Sequence, residues 1–125
     1  QAEKNFINID FRIGNISDLP FREITFDVVL ASNVLHLLSD PNRALFEINR
    51  VLKPNGKAIL PTFCHGENII SRTISFLMSL SGIKIRNKWS TESFKYFVES
   101  SGFKMLRFEV IQGKIPLVYL LAEKS

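Results

Sequence analysis

The stretch FDVVLASNVLHLL, residues Phe26 to Leu38, carries a single formal charge, Asp27, in thirteen positions. Its opening, Phe26 to Ala31, is near-continuously apolar and β-branched at Val28 and Val29. That pattern predicts a strand covered on both faces. Ser32 and Asn33 then interrupt the run before Val34 to Leu38 turns apolar again. A strand that ends on two small polar residues is leaving the core and reaching a cleft, because open parallel sheets bind ligands outside the carboxyl ends of their strands.

Working downstream, Asp40 and Pro41 open a helix, the first as its cap and the second in its first turn. Ala44, Leu45, Ile48, Val51 and Leu52 follow at three- and four-residue spacing, so one stripe of that helix is buried. Glu47 and Arg50 form a pair at helical spacing, worth only about a few tenths of a kcal/mol. Pro54-Asn55-Gly56 stops the helix, and Lys57 to Phe63 reads as another short strand. Strand, helix and strand with short joints make a parallel crossover. Glu67 to Ser81 is helical in pattern; its crowded apolar residues, Phe76 and Met78 among them, are read as core in preference to a lid over an apolar small molecule. Thr91 to Ser101 is a second capped helix ended by Gly102, with Phe94, Phe97 and Val98 on its buried side. Phe103 to Val110 and Leu117 to Ala122 form two strands around a turn at Gln112, Gly113 and Pro116, which pairs them antiparallel. Upstream, Asn8 to Ile13 alternates with Ile9, Phe11 and Ile13 on one face and predicts a first strand, followed by a loop from Gly14 to Thr25.

Composition sets outer bounds on function. A chain of 125 residues that is 46% hydrophobic has material for one core, and no repeat or linker divides it. Cys64, the sole cysteine, excludes an intramolecular disulfide framework and fits a reducing compartment. No apolar run reaches the ~20 residues of a spanning helix and the first residues lack a signal pattern, so a cytoplasmic domain without membrane contact is expected. The net charge of +4 is a modest basic excess. Lys84, Arg86 and Lys88 beside Trp89 read as a solvated loop in preference to an RNA-binding patch.

Three strand ends can host chemistry: Gly14-Asn15-Ile16, then Ala31-Ser32-Asn33 with His36, then Pro61 to Gly66. His36 suits a general base by type and place, and equally suits a partly buried histidine at the strand-to-helix joint. His65 reads as a loop residue and Asp18 as a turn residue. Cys64 and His65 are adjacent and without a second cysteine, so no metal site is assigned.

In this order and spacing, FRIGNISDLPF, FDVVLASNVLHLL and ALFEINRVLKPNGKAIL resemble the class I S-adenosylmethionine-dependent methyltransferases of the type 11 group. The segment TESFKYFVESSGF resembles that family's last helix. The resemblance implies an α/β fold: the C-terminal part of a Rossmann-like methyltransferase sheet, with parallel strands, helices on both faces and an antiparallel C-terminal hairpin, the whole of 1–125 being one partial domain. It implies S-adenosyl-L-methionine as cofactor and methyl transfer to a small-molecule acceptor. Asn15 stands where the family has an Asp that meets the adenine amino group, and Ile16 would supply a backbone N–H and an apolar contact to the ring. Ser32 matches the position lining the methionine part. Asn33, also assigned to the cofactor, and His36, the candidate catalytic base, face the side where the acceptor enters.

The chain has no G-x-G-x-x-G and no acidic residue in the place that holds the ribose hydroxyls. The match starts at the family's third strand, so a C-terminal fragment is expected, one that by itself binds the cofactor weakly and is inactive. Since the family's strand order is 3-2-1-4-5-7-6, Phe26 to Ala31 would lose a neighbour and expose an apolar edge. Cover for it is expected from the first strand shifting inward, from a second copy in a homodimer, or from strand exchange. A non-catalytic partner or regulatory subunit with a methyltransferase-like fold is the alternative to the enzyme.

Overall fold

The computed structural model describes residues 8–64, 73, 76–77, 80–82, 89–113 and 116–125. Strand β1 (Phe26–Leu30) leads through Ala31 to Asp40 into helix α1 (Pro41–Val51), which runs directly into β2 (Leu52–Ile59). The cap is the one expected: Asp40 Oδ1 accepts from Arg43 N–H at 3.1 Å, with Pro41 in the first turn. β1 and β2 pair in parallel, so the crossover is real. The pairing is irregular, however. Phe26 lies opposite Leu52 but Val28 lies opposite Lys57, so β2 advances five residues while β1 advances two. Pro54-Asn55-Gly56, read from sequence as a stop, is therefore a bulge inside a strand, with Asn55 at φ 62°.

β3 (Thr62–Phe63) continues the line of β2 after a break at Leu60 and Pro61. Both pair antiparallel with the same side of β5 (Leu117–Lys124), β2 at Lys57 to Ile59 and β3 at Thr62 and Phe63. Across the break Leu60 N–H donates to Leu120 O at 2.9 Å, and Cys64 N–H to Pro116 O at 2.9 Å. The other side of β5 pairs along its length with β4 (Phe103–Ile111), which confirms the antiparallel C-terminal hairpin. Helix α2 (Thr91–Glu99) precedes β4; Ser90 caps it, and Gly102, at φ 89°, turns the chain out of it.

Buried residues of α1 (Ala44, Leu45, Ile48) and α2 (Phe94, Val98) meet Ala58, Leu60, Val118, Leu120 and Ala122 in one core. The sheet residues alternate along β2 and β5, so a single sheet face supplies them. Trp89, half-buried, stacks on Phe97 at 4.9 Å between ring centroids. Lys84, Arg86 and Lys88, read from the sequence as a solvated loop beside it, lie outside the described residues, as does His65. Of the crowded segment from Ile69 to Leu80, the helical residues Phe76, Leu77 and Leu80 are exposed and are not core. Met78 lies outside the described residues.

Two expectations fail for one physical reason. Residues 8–14 carry no strand, and Phe11 and Ile13 are 90% and 105% exposed. Alternation makes a segment fit to be a strand, but a ladder partner is what makes it one. β1 pairs with β2 alone among the described residues and stands at the sheet edge, the exposed edge that was expected of it. Val28 and Leu30 are 51% and 62% exposed, so the strand is not covered on both faces. The 8–14 segment adds no strand to that edge, although Asp10, Arg12 and Ile13 line a hollow with Phe26, Leu30 and Ala31. An open ladder side of this kind is a template for another strand.

Candidate functional site

The carboxyl ends of β1 and β2 lie together, tied by Ala31 N–H to Ile59 O at 3.0 Å and Asn33 N–H to Pro61 O at 2.8 Å. Beside them, along the open side of β1, runs a hollow of about 610 Å³. Leu30 and Ala31, at the end of β1, line it, together with Ile13 and Ile16 and with Leu19, Pro20 and Phe21 of the loop before β1. Phe21 meets Phe26 edge to face with ring centroids 4.9 Å apart, which holds Phe21 against β1. A second hollow of about 620 Å³ lies beside Asn49, Gly102 and Ser125, at the amino end of β2. Ligands of open α/β sheets bind at the opposite end, so the first hollow is the candidate.

Ile16 lines the hollow and packs on the core. Asn15, exposed, does not line it: its Oδ1 accepts from Ser17 N–H at 2.9 Å, and its carbonyl accepts from Asp18 N–H at 3.0 Å, so its side chain shapes the tight turn. One Oδ1 lone pair remains for an outside donor. Asp18 is the turn residue expected. Ser32 is exposed at the end of β1. Asn33 has φ 54°, a left-handed conformation that Asn tolerates better than most residues, and its Oδ1 is buried without a hydrogen-bond partner among the described residues. A buried acceptor left open marks a place for a donor. His36 sits in a short 3-10 turn, Leu35 to Leu37, and is buried at 7% exposure. Ser32, Asn33 and His36 thus follow the carboxyl end of β1, and none of the three lines the hollow to which Ile16 and Ala31 belong.

Cys64 is fully buried, and that burial raises its thiol to about 11. Among the described residues no group of three or more His, Cys, Asp or Glu could hold a metal ion, and no helix is long and apolar enough to cross a membrane.

The pair expected to be weak is in fact built into the interior beside residues 17–21. Glu47 is buried, its side chain 3% exposed, and Arg50 grips both its oxygens at 2.8 Å. Leu19 N–H adds a third bond at 2.8 Å and the Arg43 guanidinium stands 3.7 Å away. The Arg50 hydrogen bonds, with that N–H and the nearby cations, outweigh desolvation and hold the carboxyl at about 2. The same contact raises the guanidinium of Arg50. One signal in the sequence pointed here: Glu47 follows Ala44 by three residues and precedes Val51 by four, so it lies within the apolar stripe.

The family described as "Methyltransferase domain" matches residues 1–60. A demethylmenaquinone methyltransferase of Renibacterium salmoninarum is 35% identical over 96 residues, covering 74% of this chain and 40% of that protein. A ubiquinone/menaquinone biosynthesis C-methyltransferase of Rickettsia typhi is 27% identical over 133 residues, covering 91% of this chain and 54% of its own length. The chain thus spans about half the length, or less, of these curated relatives. The crystal structure of a SAM-dependent methyltransferase from Methanosarcina mazei superposes with TM-score 0.76 at 19% identity, over 92% of this chain and 66% of that one, a likeness of fold. The ordered blocks, the parallel crossover with its C-terminal hairpin and these matches agree: the chain belongs to the type 11 group of class I S-adenosylmethionine-dependent methyltransferases.

Proposed function

We propose that this chain forms the adenine and acceptor side of an enzyme that transfers a methyl group from S-adenosylmethionine to a carbon of a small quinone-class acceptor. The observation that carries the reading is the apolar hollow lined by Ile16 and Ala31, with the open acceptor Asn33 Oδ1 just beyond the carboxyl end of β1. The residues fit the cofactor in kind. Ile16 offers an apolar face for a ring, Asn15 the remaining acceptor capacity of its amide, and Ser32 and Asn33 short polar groups for the charged amino-acid end. The cofactor, when bound, supplies a methyl group on an already activated sulfonium. What the chain must contribute is alignment and exclusion of water, and the apolar walls of the hollow serve both. Methylation on carbon also requires a proton to leave the acceptor, and a ring nitrogen of His36 is the group proposed to take it. The quinone class is drawn from the names of the two relatives.

Because the sequence has no G-x-G-x-x-G, the chain holds part of the cofactor site, and its own affinity is weak. Titration of the ¹⁵N-labelled chain with S-adenosylhomocysteine tests this. Saturable shifts at Ile16, Ser32 and Asn33 are expected, with a dissociation constant on the order of 1 mM, about −4 kcal/mol. Shifts confined to other surfaces, or no response, would refute the site, and micromolar affinity would refute its partial character.

A further inference from the structure

Resting on that reading, we propose that Glu47 and Arg50, helped by Arg43, are positioning residues that set the wall of the adenosyl hollow by clamping the backbone of residues 17–21. Four main-chain groups are held from one helix. Leu19 N–H donates to Glu47 Oε2 at 2.8 Å, Arg50 Nη2 donates to Leu19 O at 3.1 Å, Arg50 Nη1 to Phe21 O at 2.8 Å, and Arg43 Nε to Ser17 O at 3.1 Å. Leu19, Pro20 and Phe21 line the hollow together with Leu30 and Ala31, so the clamp fixes the position of that part of its lining. The segment has little else to fix it. Its own backbone contacts are the Asn15–Asp18 bridge at one end and, at the other, Ile24 and Thr25 N–H donating to Arg50 and Val51 carbonyls. Between those anchors, among the described residues, the charged side chains of α1 take the place of a ladder, with the Phe21–Phe26 ring contact beside them.

The chemistry of the pair suits placement. An apolar pair of equal volume would fill the same space, and buried ion pairs often add no net stability over such a replacement. It would leave Leu19 N–H, Leu19 O and Phe21 O without their partners, and the segment would move to recover them in water. Arg50 is suited to the task because its planar fork donates to Glu47 and to two carbonyls at once, with donors in fixed directions. A lysine there has one nitrogen for all three.

Amide hydrogen exchange and S-adenosylhomocysteine titration, both followed by NMR on the 125-residue chain, test the clamp. In Glu47→Gln the Leu19 amide should exchange at least about tenfold faster relative to Leu60, and the dissociation constant should rise about tenfold, as expected for losing a charge-assisted bond. Val98→Ala, a destabilising truncation in the core face of α2, a helix that does not line the hollow, should leave the affinity within about twofold, which separates placement from general loss of stability. Arg50→Lys carries the same expectation as Glu47→Gln and replaces it should that variant fail to fold. Wild-type saturation with variant affinity unchanged would overturn the clamp and leave the functional reading standing. A wild-type chain that does not respond to S-adenosylhomocysteine overturns the functional reading and this role with it; exchange at Leu19, measured without ligand, tells the two apart.

Discussion

Replacing Glu47 with Gln should lower stability near neutral pH, and the loss should disappear in acid. The carboxyl is held at about 2 against an ordinary 4.5, chiefly by the Arg50 hydrogen bonds. Linkage at about 1.4 kcal/mol per tenfold change makes that displacement worth about 3 kcal/mol. The Arg50 side chain is 27% exposed, so water weakens the pair and about 2 kcal/mol is the better expectation. The sign follows from the direction. A carboxyl held below its unfolded value stabilises the fold fully above about pH 5, and the contribution fades as pH falls from 4.5 toward 2. The protonated Glu47 side chain and the glutamine that replaces it are close in shape and both neutral, so the two proteins should converge there. Urea denaturation of both at pH 7, 5, 4 and 3 measures the gap. A gap that stays constant across this range, or one below about 0.5 kcal/mol at pH 7, would refute the assignment of a buried, ionised Glu47.

Two other substitution or labelling experiments follow from the geometry. A Cβ at Gly56 would stand 2.8 Å from the Lys53 carbonyl and 3.3 Å from that of Asp27, so Gly56→Ala should cost about 1–3 kcal/mol in urea denaturation, and a neutral result would mean the β2 bulge is misplaced. The Cys64 thiol, raised to about 11 by burial, should react with iodoacetamide at pH 8 about 100-fold slower in the native chain than in urea, whereas equal rates would show the thiol is open to solvent.

Much of the local structure was legible because its causes are local. Asp40 and Pro41 begin a helix wherever they meet a buried stripe, and Gly102 ends one wherever the chain must turn at positive φ. The antiparallel hairpin of β4 and β5 could be read from alternation around the turn at Gln112 to Pro116. The ordered blocks around Asn15, Ser32 and Glu47 were enough to identify the family. Tertiary contacts decided the rest. The segment Asn8 to Ile13 has the pattern of a strand, but no neighbouring strand among the described residues satisfies its backbone, and it stays exposed and without strand structure. Phe26 to Leu30 has the composition of a strand covered on both faces, yet Val28 and Leu30 are exposed, since coverage depends on what lies over the strand and composition does not. The spacing of Glu47 and Arg50 suggested a weak pair. Only the arrival of residues 17–21 over α1 turned it into a buried clamp, because the worth of a charge depends on the water removed around it.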